Sequence, residues 1–398
     1  MRVMHVQPQT LDLYGHEDAE IGNSVKYSLT NLAVAQARLG HSVEAHLLTT
    51  GKPSMRRVEK VTYRFHRCVQ PPRKTLYARF ARQFSLSILA AIGSIEPDIV
   101  HFHGVRALHL MYCAVAWWSG RCHVPLVAQE RGYRDVGRIE GAAQTFALRR
   151  TLMVMAASKD SAEVIRGMGM APGRVVVVPN GVDLTIFHPA DVRPASSARP
   201  LRVLYVSRPV EFKDPMTMAQ GLVELQRRGR AVELTMIGRG HMKDAVMTPL
   251  LAAGVPVHYE EHVPHGELAC FYRKADVYVT TSLGEGWNQT ILEAMASGLP
   301  VVHTDAPGIR DSAGHVGISI PVRSPAALAD SLERLMDNPA RRVEARERGL
   351  ERARGFSWDE VARITCDLYA TALASADRGA HGSRSSHTHP AQLTDKLS

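Results

Sequence analysis

Two glutamates carry the clearest chemistry in this sequence. They lie in Ser282-Leu-Gly-Glu285-Gly-Trp-Asn-Gln-Thr-Ile-Leu-Glu293-Ala-Met-Ala-Ser-Gly298-Leu-Pro, with seven residues between them. Glycines flank Glu285, and Gln289–Ser297 reads as a helix. Eight steps along a straight helix span about 12 Å, comparable to the reach of a diphosphate between a sugar and a ribose. One carboxylate would then grip sugar hydroxyls and the other ribose hydroxyls, while the unpaired amides of a helix N-terminus face the phosphates. Gly286 would let a ligand approach the backbone closely. Glutamates at this spacing are common on solvated helices. The preceding strand and the Gly-Glu-Gly turn set this pair apart.

These residues need a scaffold, and the pattern supplies one. Strand-like runs at Arg2–Gln7, Val43–Leu48, Asp98–His103, Leu126–Gln129, Leu152–Ala157 and Val175–Val178 are interspersed with helical runs at Ser24–Leu39 and Phe80–Ile95. Strands separated by helices predict a parallel, doubly wound sheet. A proline- and serine-rich stretch within Phe187–Pro200 reads as a linker. A second series follows, with strands Leu201–Ser207, Val232–Ile237, Val277–Thr280 and Pro300–Thr304 and helices Asp214–Arg227 and Gln289–Ser297. The expected fold class is therefore α/β, with two Rossmann-like doubly wound domains facing across a cleft. The first domain covers 1–187, the linker 188–200 and the second domain 201–355. An apolar-faced helix over Phe356–Ala374 follows, and a Ser/His/Gly-rich tail over 376–398 reads as disordered. Histidines 381, 387 and 389 in that tail are not read as a metal site.

Composition narrows the class. Hydrophobic residues make up 45% and charged residues 22%, as in a folded globular chain. No apolar run reaches membrane-spanning length, and the start lacks a signal-peptide core, which points to the cytoplasm. The five cysteines are odd in number and scattered, unlike a disulfide framework or a zinc site. The net charge of +9 is uneven: residues 1–190 carry 23 Lys and Arg against 14 Asp and Glu, and residues 191–398 carry 25 of each. Ten basic residues against Glu59 alone fall within 52–82. That stretch is read as a solvated loop leading into a helix, or as a patch attracting an anionic acceptor or an anionic membrane surface. Nucleic acid is not expected, because no nucleic-acid-binding signature accompanies the charge.

The glutamate segment resembles the hallmark of glycosyltransferase family 4, whose members are retaining enzymes with the two-domain GT-B fold. Other stretches are similar to the family in the same order: Asn31–His41, Pro97-Asp-Ile-Val-His-Phe-His103, Val178-Pro-Asn-Gly-Val-Asp183, Val206-Ser-Arg208-Pro-Val-Glu-Phe-Lys213-Asp214, Met236-Ile-Gly-Arg-Gly240 and Leu268–Val279. The likeness covers residues 1–375. It implies a hexosyltransferase-type enzyme that moves a sugar from a nucleotide-diphosphate sugar, with uridine as the base, to a hydroxyl acceptor. That acceptor is a small molecule, a saccharide or a lipid phosphate. Arg208 and Lys213 would neutralise the departing diphosphate, and Glu285 would bind the donor sugar. Glu293 would bind the ribose, the amides of Gln289 and Thr290 the distal phosphate, and Gly22 would approach that phosphate from the first domain. No cofactor or metal is implied, and the chain has no Asp-x-Asp. The closing helix would return to the first domain, and peripheral contact with the inner membrane face would run through 52–82.

The chain departs from the family pattern at two places. The usual glycine pair is Ile21-Gly22, and the usual His-Gly after the strand at 126–129 is replaced by Gln129-Glu130-Arg131-Gly132. Either Glu130 or Arg131 takes the histidine's place. His101 and His103 are read as strand-end packing. These departures motivate an alternative: a non-catalytic nucleotide-sugar-binding or scaffold protein with the same fold. A nicotinamide dehydrogenase is excluded because Pro8, not a Gly-x-Gly-x-x-Gly turn, follows the first strand. A retaining glycosidase needs carboxylates about 5 Å apart, closer than a loop and its following helix would place these two.

Overall fold

The computed structural model describes residues 1–10, 28–68, 85–104, 124–130, 145–149, 151–190 and 199–381. Gly22, Arg131, residues 69–82 of the basic stretch, 191–198 of the linker and 382–398 of the tail lie outside the described residues. The chain divides into two compact units. One comprises Met1–Pro179 together with the segment from Trp358 onward, and the other comprises Asn180–Ser357.

The first unit holds β1 (Arg2–Thr10), β2 (Ser42–Thr49), β3 (Ser54–Val58), β4 (Val61–Arg67), β5 (Ile99–His103), β6 (Leu126–Glu130), β7 (Met153–Ala156) and β8 (Val175–Val177). They form one sheet in the order β3-β4-β2-β1-β5-β6-β7-β8. Every pairing is parallel except β3 with β4. The central strands β5, β6 and β7 are buried along most of their length although β5 and β6 carry polar residues such as His101, His103 and Gln129, as in a parallel sheet whose two faces are covered. The closing helix, Trp358–His381, packs against helix Ser28–Arg38 in this unit.

The β3–β4 hairpin corrects the expectation of a solvated loop at 52–68. Val61, Tyr63 and Phe65 alternate with Thr62, Arg64 and His66, and the first set is buried, which is the period-two pattern of a strand. The connection turns on Glu59 and Lys60, both with positive φ, as a tight two-residue hairpin requires. Lysines and arginines dominated the composition there and masked the alternation.

The second unit holds β9 (Leu201–Val206), β10 (Val232–Ile237), β11 (Val257–Glu260), β12 (Val277–Thr280), β13 (Val301–Thr304) and β14 (Ile318–Ile320). All pairings are parallel, in the order β11-β10-β9-β12-β13-β14. Strands β11 and β14 had no counterpart in the sequence reading, being only four and three residues long and partly exposed. Helices Pro215–Arg227, Lys243–Ala252 and Pro325–Asp337 bury Met218, Leu222, Val246, Leu250, Leu328 and Leu332 against the β-strand core of Val203, Tyr205, Leu234, Val277 and Val302. Strand order reverses between β9 and β12. The loops at the carboxyl ends of those two strands therefore diverge there, the usual ligand position in an open α/β sheet.

The unit boundary falls at Pro179/Asn180 rather than at 187/188. The reason is local bonding. Val182 N–H donates to Phe356 O at 2.7 Å, and Val182 bridges Ser357. Phe187 is fully buried beside His265 and Tyr272. At the far side of the linker, Arg199 donates to both carboxylate oxygens of Asp276, at 2.7 and 2.8 Å.

Candidate active site

The two loops at the reversal of the second sheet are stitched together by hydrogen bonds to backbone carbonyls. From β9 the chain runs through a 3-10 turn, Glu211–Lys213, into helix Pro215–Arg227. Asp214 adopts a left-handed conformation (φ 42) and caps the helix, accepting from Thr217 Oγ1 at 2.7 Å. From β12 the other loop returns. Leu283 N–H donates to Phe212 O at 2.8 Å, and Thr281 Oγ1 donates to Asp214 O at 2.7 Å. Below them, Tyr205 OH donates to Lys213 O at 3.1 Å.

That stitching brings Lys213 to Glu285. Lys213 Nζ lies 2.7 Å from Glu285 Oε1, with both side chains about 15% exposed. The same oxygen accepts from Ser282 Oγ at 2.9 Å and Asn288 Nδ2 at 2.8 Å. Three donors on one oxygen hold the carboxylate in place. Its backbone is fixed as well, because Glu285 N–H donates to Pro307 O at 3.0 Å. Gly308 (φ 69) packs so tightly on this loop that a Cβ there would overlap the Glu285 carbonyl oxygen.

Arg208 is exposed, with its guanidinium carbon 5.9 Å from the Phe212 ring centre, while Lys213 Nζ lies 5.1 Å from the same ring. Two cations thus flank one half-exposed aromatic ring at the sheet's carboxyl edge. The Gly-Arg-Gly turn after β10 supports this loop from behind. Gly238 (φ 138) sits where a Cβ would overlap the Ser207 carbonyl, and Gly240 stands likewise against Pro209.

The helix begins at Gln289, so only four of the eight steps from Glu285 to Glu293 are helical, about 6 Å of axial rise. The expectation of one continuous 12 Å helical span does not hold. Asn288 is the N-cap. Its Oδ1 accepts from Ile291 N–H at 3.2 Å and from Thr290 Oγ1 at 2.6 Å. The first-turn amides of Gln289 and Thr290 have no intrahelical carbonyl to bond. Gln289 Nε2 donates to Gly181 O at 2.5 Å, and Thr290 Oγ1 shares a 2.5 Å bond with Tyr278 OH. Gly286 is half-buried between the two acidic positions in sequence.

Glu293 is nearly sealed from solvent, at 2% exposure. His265 Nε2 lies 2.9 Å from its Oε1, and Tyr272 OH donates to its Oε2 at 3.0 Å. Burial, and then the neighbouring Glu293 charge, push the Tyr272 phenol well above its ordinary pKa, so it remains a donor. Neither His265 nor Tyr272 was singled out in the sequence. Their seven-residue spacing on one helix face is the only signal they carry there.

Among the described residues, the one group of three metal-capable side chains is His5, His101 and His103, which includes none of these site residues. His101 and His103 are buried as strand packing residues. His103 Nε2 lies 2.8 Å from His5 Nδ1, His5 Nε2 lies 2.6 Å from Gln36 Oε1, and His101 Nδ1 bonds the Tyr369 hydroxyl on the closing helix. Glu130 ends β6 half-buried.

Comparison with known proteins places the chain in a family and a fold. The family model Glycosyl transferases group 1 matches residues 200–338, and Glycosyltransferase Family 4 matches residues 25–186. The chain is 31% identical over 328 residues to a D-inositol 3-phosphate glycosyltransferase of Kineococcus radiotolerans, covering 71% of this chain and 74% of that protein. It is 32% identical over 330 residues to the protein of the same name from Frankia alni, covering 74% and 79%. Among solved structures, sucrose-phosphate synthase from Thermosynechococcus elongatus superposes with a TM-score of 0.73 at 18% identity, over 94% of this chain and all of that one. Anabaena HepE in complex with UDP-glucose gives 0.66 at 16% identity, over 94% and 100%. These neighbours share the two-domain α/β fold.

Proposed function

Because the chain belongs to glycosyltransferase family 4, we propose that it transfers a sugar, with retention of anomeric configuration, from a uridine diphosphate sugar to a hydroxyl of a phosphate-bearing acceptor. Glycosyl transfer is the activity of the family. Donor, stereochemistry and acceptor are the proposal. The observation that carries it is the Lys213–Glu285 pair at 2.7 Å, seated at the strand-order reversal of the second unit.

The donor diphosphate would lie against Lys213 and Arg208, with the Gln289 and Thr290 amides on its distal phosphate. As the sugar–phosphate bond breaks, negative charge grows on the leaving oxygen. Cations already in place there are worth about 2–4 kcal/mol of barrier each. Two side-chain cations and a helix N-terminus supply that charge, so the proposed chemistry needs no divalent ion. Glu285 would turn from Lys213 to the sugar hydroxyls once phosphate neutralises the lysine. In a retaining transfer the departing phosphate oxygen takes the acceptor's proton on the same face. That route needs no histidine at the Glu130–Arg131 position.

Two observations support the acceptor class. The curated relatives named above act, by their names, on inositol 3-phosphate. The first unit exposes Lys52, Arg57, Lys60 and Arg67 on and beside the β3–β4 hairpin, a positive edge suited to an anionic acceptor or an anionic membrane surface. No described helix is long and apolar enough to cross a membrane.

The test is product analysis. UDP-glucose and other uridine diphosphate sugars are incubated with inositol phosphate acceptors and with EDTA present, and free UDP and the anomeric proton of the product are followed by NMR. An axial-to-axial transfer that survives EDTA supports the reading. An inverted anomer, or no UDP release with any donor, overturns it.

A further inference from the structure

Glu293 is a carboxylate almost wholly removed from water, and such a group is costly unless its oxygens are satisfied. Two donors satisfy it, one per oxygen, and both come from helix His265–Lys274. Residues 265 and 272 are two turns apart and share a helix face. Their rings are held in turn. Phe187 meets His265 edge-on at 5.2 Å and Tyr272 edge-on at 5.6 Å, while Tyr278 lies 5.9 Å from Tyr272. Tyr272 and Phe187 are completely buried, so neither ring has room to turn.

An ionised carboxylate has roughly four acceptor positions. Among the described residues one donor reaches each oxygen, which leaves one acceptor position on each. Two remaining acceptor sites on a rigid carboxylate suit two neighbouring hydroxyls, the pattern of a ribose. We propose that His265 and Tyr272 are positioning residues, which aim the open acceptor sites of Glu293 at the 2′- and 3′-hydroxyls of the donor ribose and thereby make the enzyme selective for ribonucleotides over 2′-deoxyribonucleotides. This rests on the donor reading above. The selectivity follows from burial: a 2′-deoxy ligand closes the site over a carboxylate acceptor that has lost its partner, and a site built around a hydroxyl rejects the analogue lacking it.

Calorimetric titration with UDP and with 2′-deoxy-UDP reads the idea without knowing the sugar. Native protein should favour UDP by about 10–100-fold. Tyr272→Phe and His265→Ala should each weaken UDP about 10-fold, leave 2′-deoxy-UDP nearly unchanged and shrink the preference to a few-fold. His265→Gln, which keeps an amide donor, should restore most of the preference. Equal weakening of both ligands would mean a merely structural role and overturn the assignment, as would an unchanged preference in folded variants. His265→Ala at the half-exposed end of the helix decides the matter if Tyr272→Phe does not fold. Glu293→Ala separates the two layers. If it leaves UDP binding intact, the donor reading itself fails. If it abolishes the preference while His265→Ala and Tyr272→Phe keep it, only the positioning role fails.

Discussion

Lys213 and Glu285 come from loops that follow different strands, β9 and β12, and meet at 2.7 Å with neither side chain more than about 15% exposed. Without ligand each neutralises the other. On the proposed reading, a donor diphosphate arriving at the lysine would release the carboxylate to the sugar, so the pair would keep two opposite charges in a partly dry place until both are needed.

Lys213→Ala should therefore lower kcat at least 100-fold, the usual scale for one lost leaving-group cation. It should also leave Glu285 with only Ser282 and Asn288 as donors. Arg208→Ala should act in the same direction, because Arg208 flanks the same Phe212 ring. Steady-state turnover with a saturating donor checks this, and near-native kcat in the lysine variant would sink the role given to it.

Gly308→Ala should damage the site without touching its side chains. The glycine holds a positive φ against the Glu285 carbonyl, and a methyl group there has no space. A loss of about 1–3 kcal/mol is expected from strain of this kind. Donor affinity should fall with it, because the loop carrying Glu285 must shift. Thermal unfolding and nucleotide titration on one preparation measure both, and an alanine variant matching native in each would refute the tight packing.

Acid should weaken the first unit in two steps. His66 Nε2 lies 2.9 Å from His46 Nδ1, and His66 Nδ1 lies 2.8 Å from Ser87 Oγ. Burial, then the charges of His46 and Arg64, lower the His66 pKa from 6.5 to about 4. Its folded form thus binds a proton later than its unfolded form. The stability it contributes is complete above pH 6.5 and is lost as pH falls from 6.5 toward 4. Glu44, bonded by His46 and then by Arg64, is lowered from 4.5 to about 2, so its share is lost between pH 4.5 and 2. Tm measured from pH 7.5 to 4 should fall, and His66→Asn should flatten that slope by close to one proton. An unchanged slope in the variant would remove His66 as the cause.

The basic hairpin should bind anionic vesicles at low salt and release them as salt rises, because exposed charges are screened beyond about 10 Å at 0.1 M. Met55 stands 63% exposed among Lys52, Arg57 and Lys60 and offers an apolar contact to the bilayer surface. Co-sedimentation with phosphatidylglycerol vesicles tests this. Equal pelleting of Arg57→Glu/Lys60→Glu and native protein would exclude the hairpin.

Much of the architecture was legible before any coordinates. Strands such as Val232–Ile237 announce themselves by apolar residues at alternate positions (Val232, Leu234, Met236), and helix Pro215–Arg227 by its periodicity, because burial on a sheet imposes both patterns. The short edge strands β11 and β14 escaped, since four and three half-exposed residues leave too little pattern to read. The hairpin over 54–67 escaped because composition outweighed alternation.

At the site, the Gly-flanked Glu285 and its spacing from Glu293 stood out by residue type and order, whereas Arg208 and Lys213 were pointed to only by the resemblance to the family. Their bonding was not legible. Nothing in a linear chain says that Lys213 reaches Glu285 across 72 positions, or that Glu293 is clasped by His265 and Tyr272 from an earlier helix. Local pattern records what each residue contributes to its own strand or helix. The order in which strands lie side by side decides which loops become neighbours, and that order arises only when the whole sheet has closed.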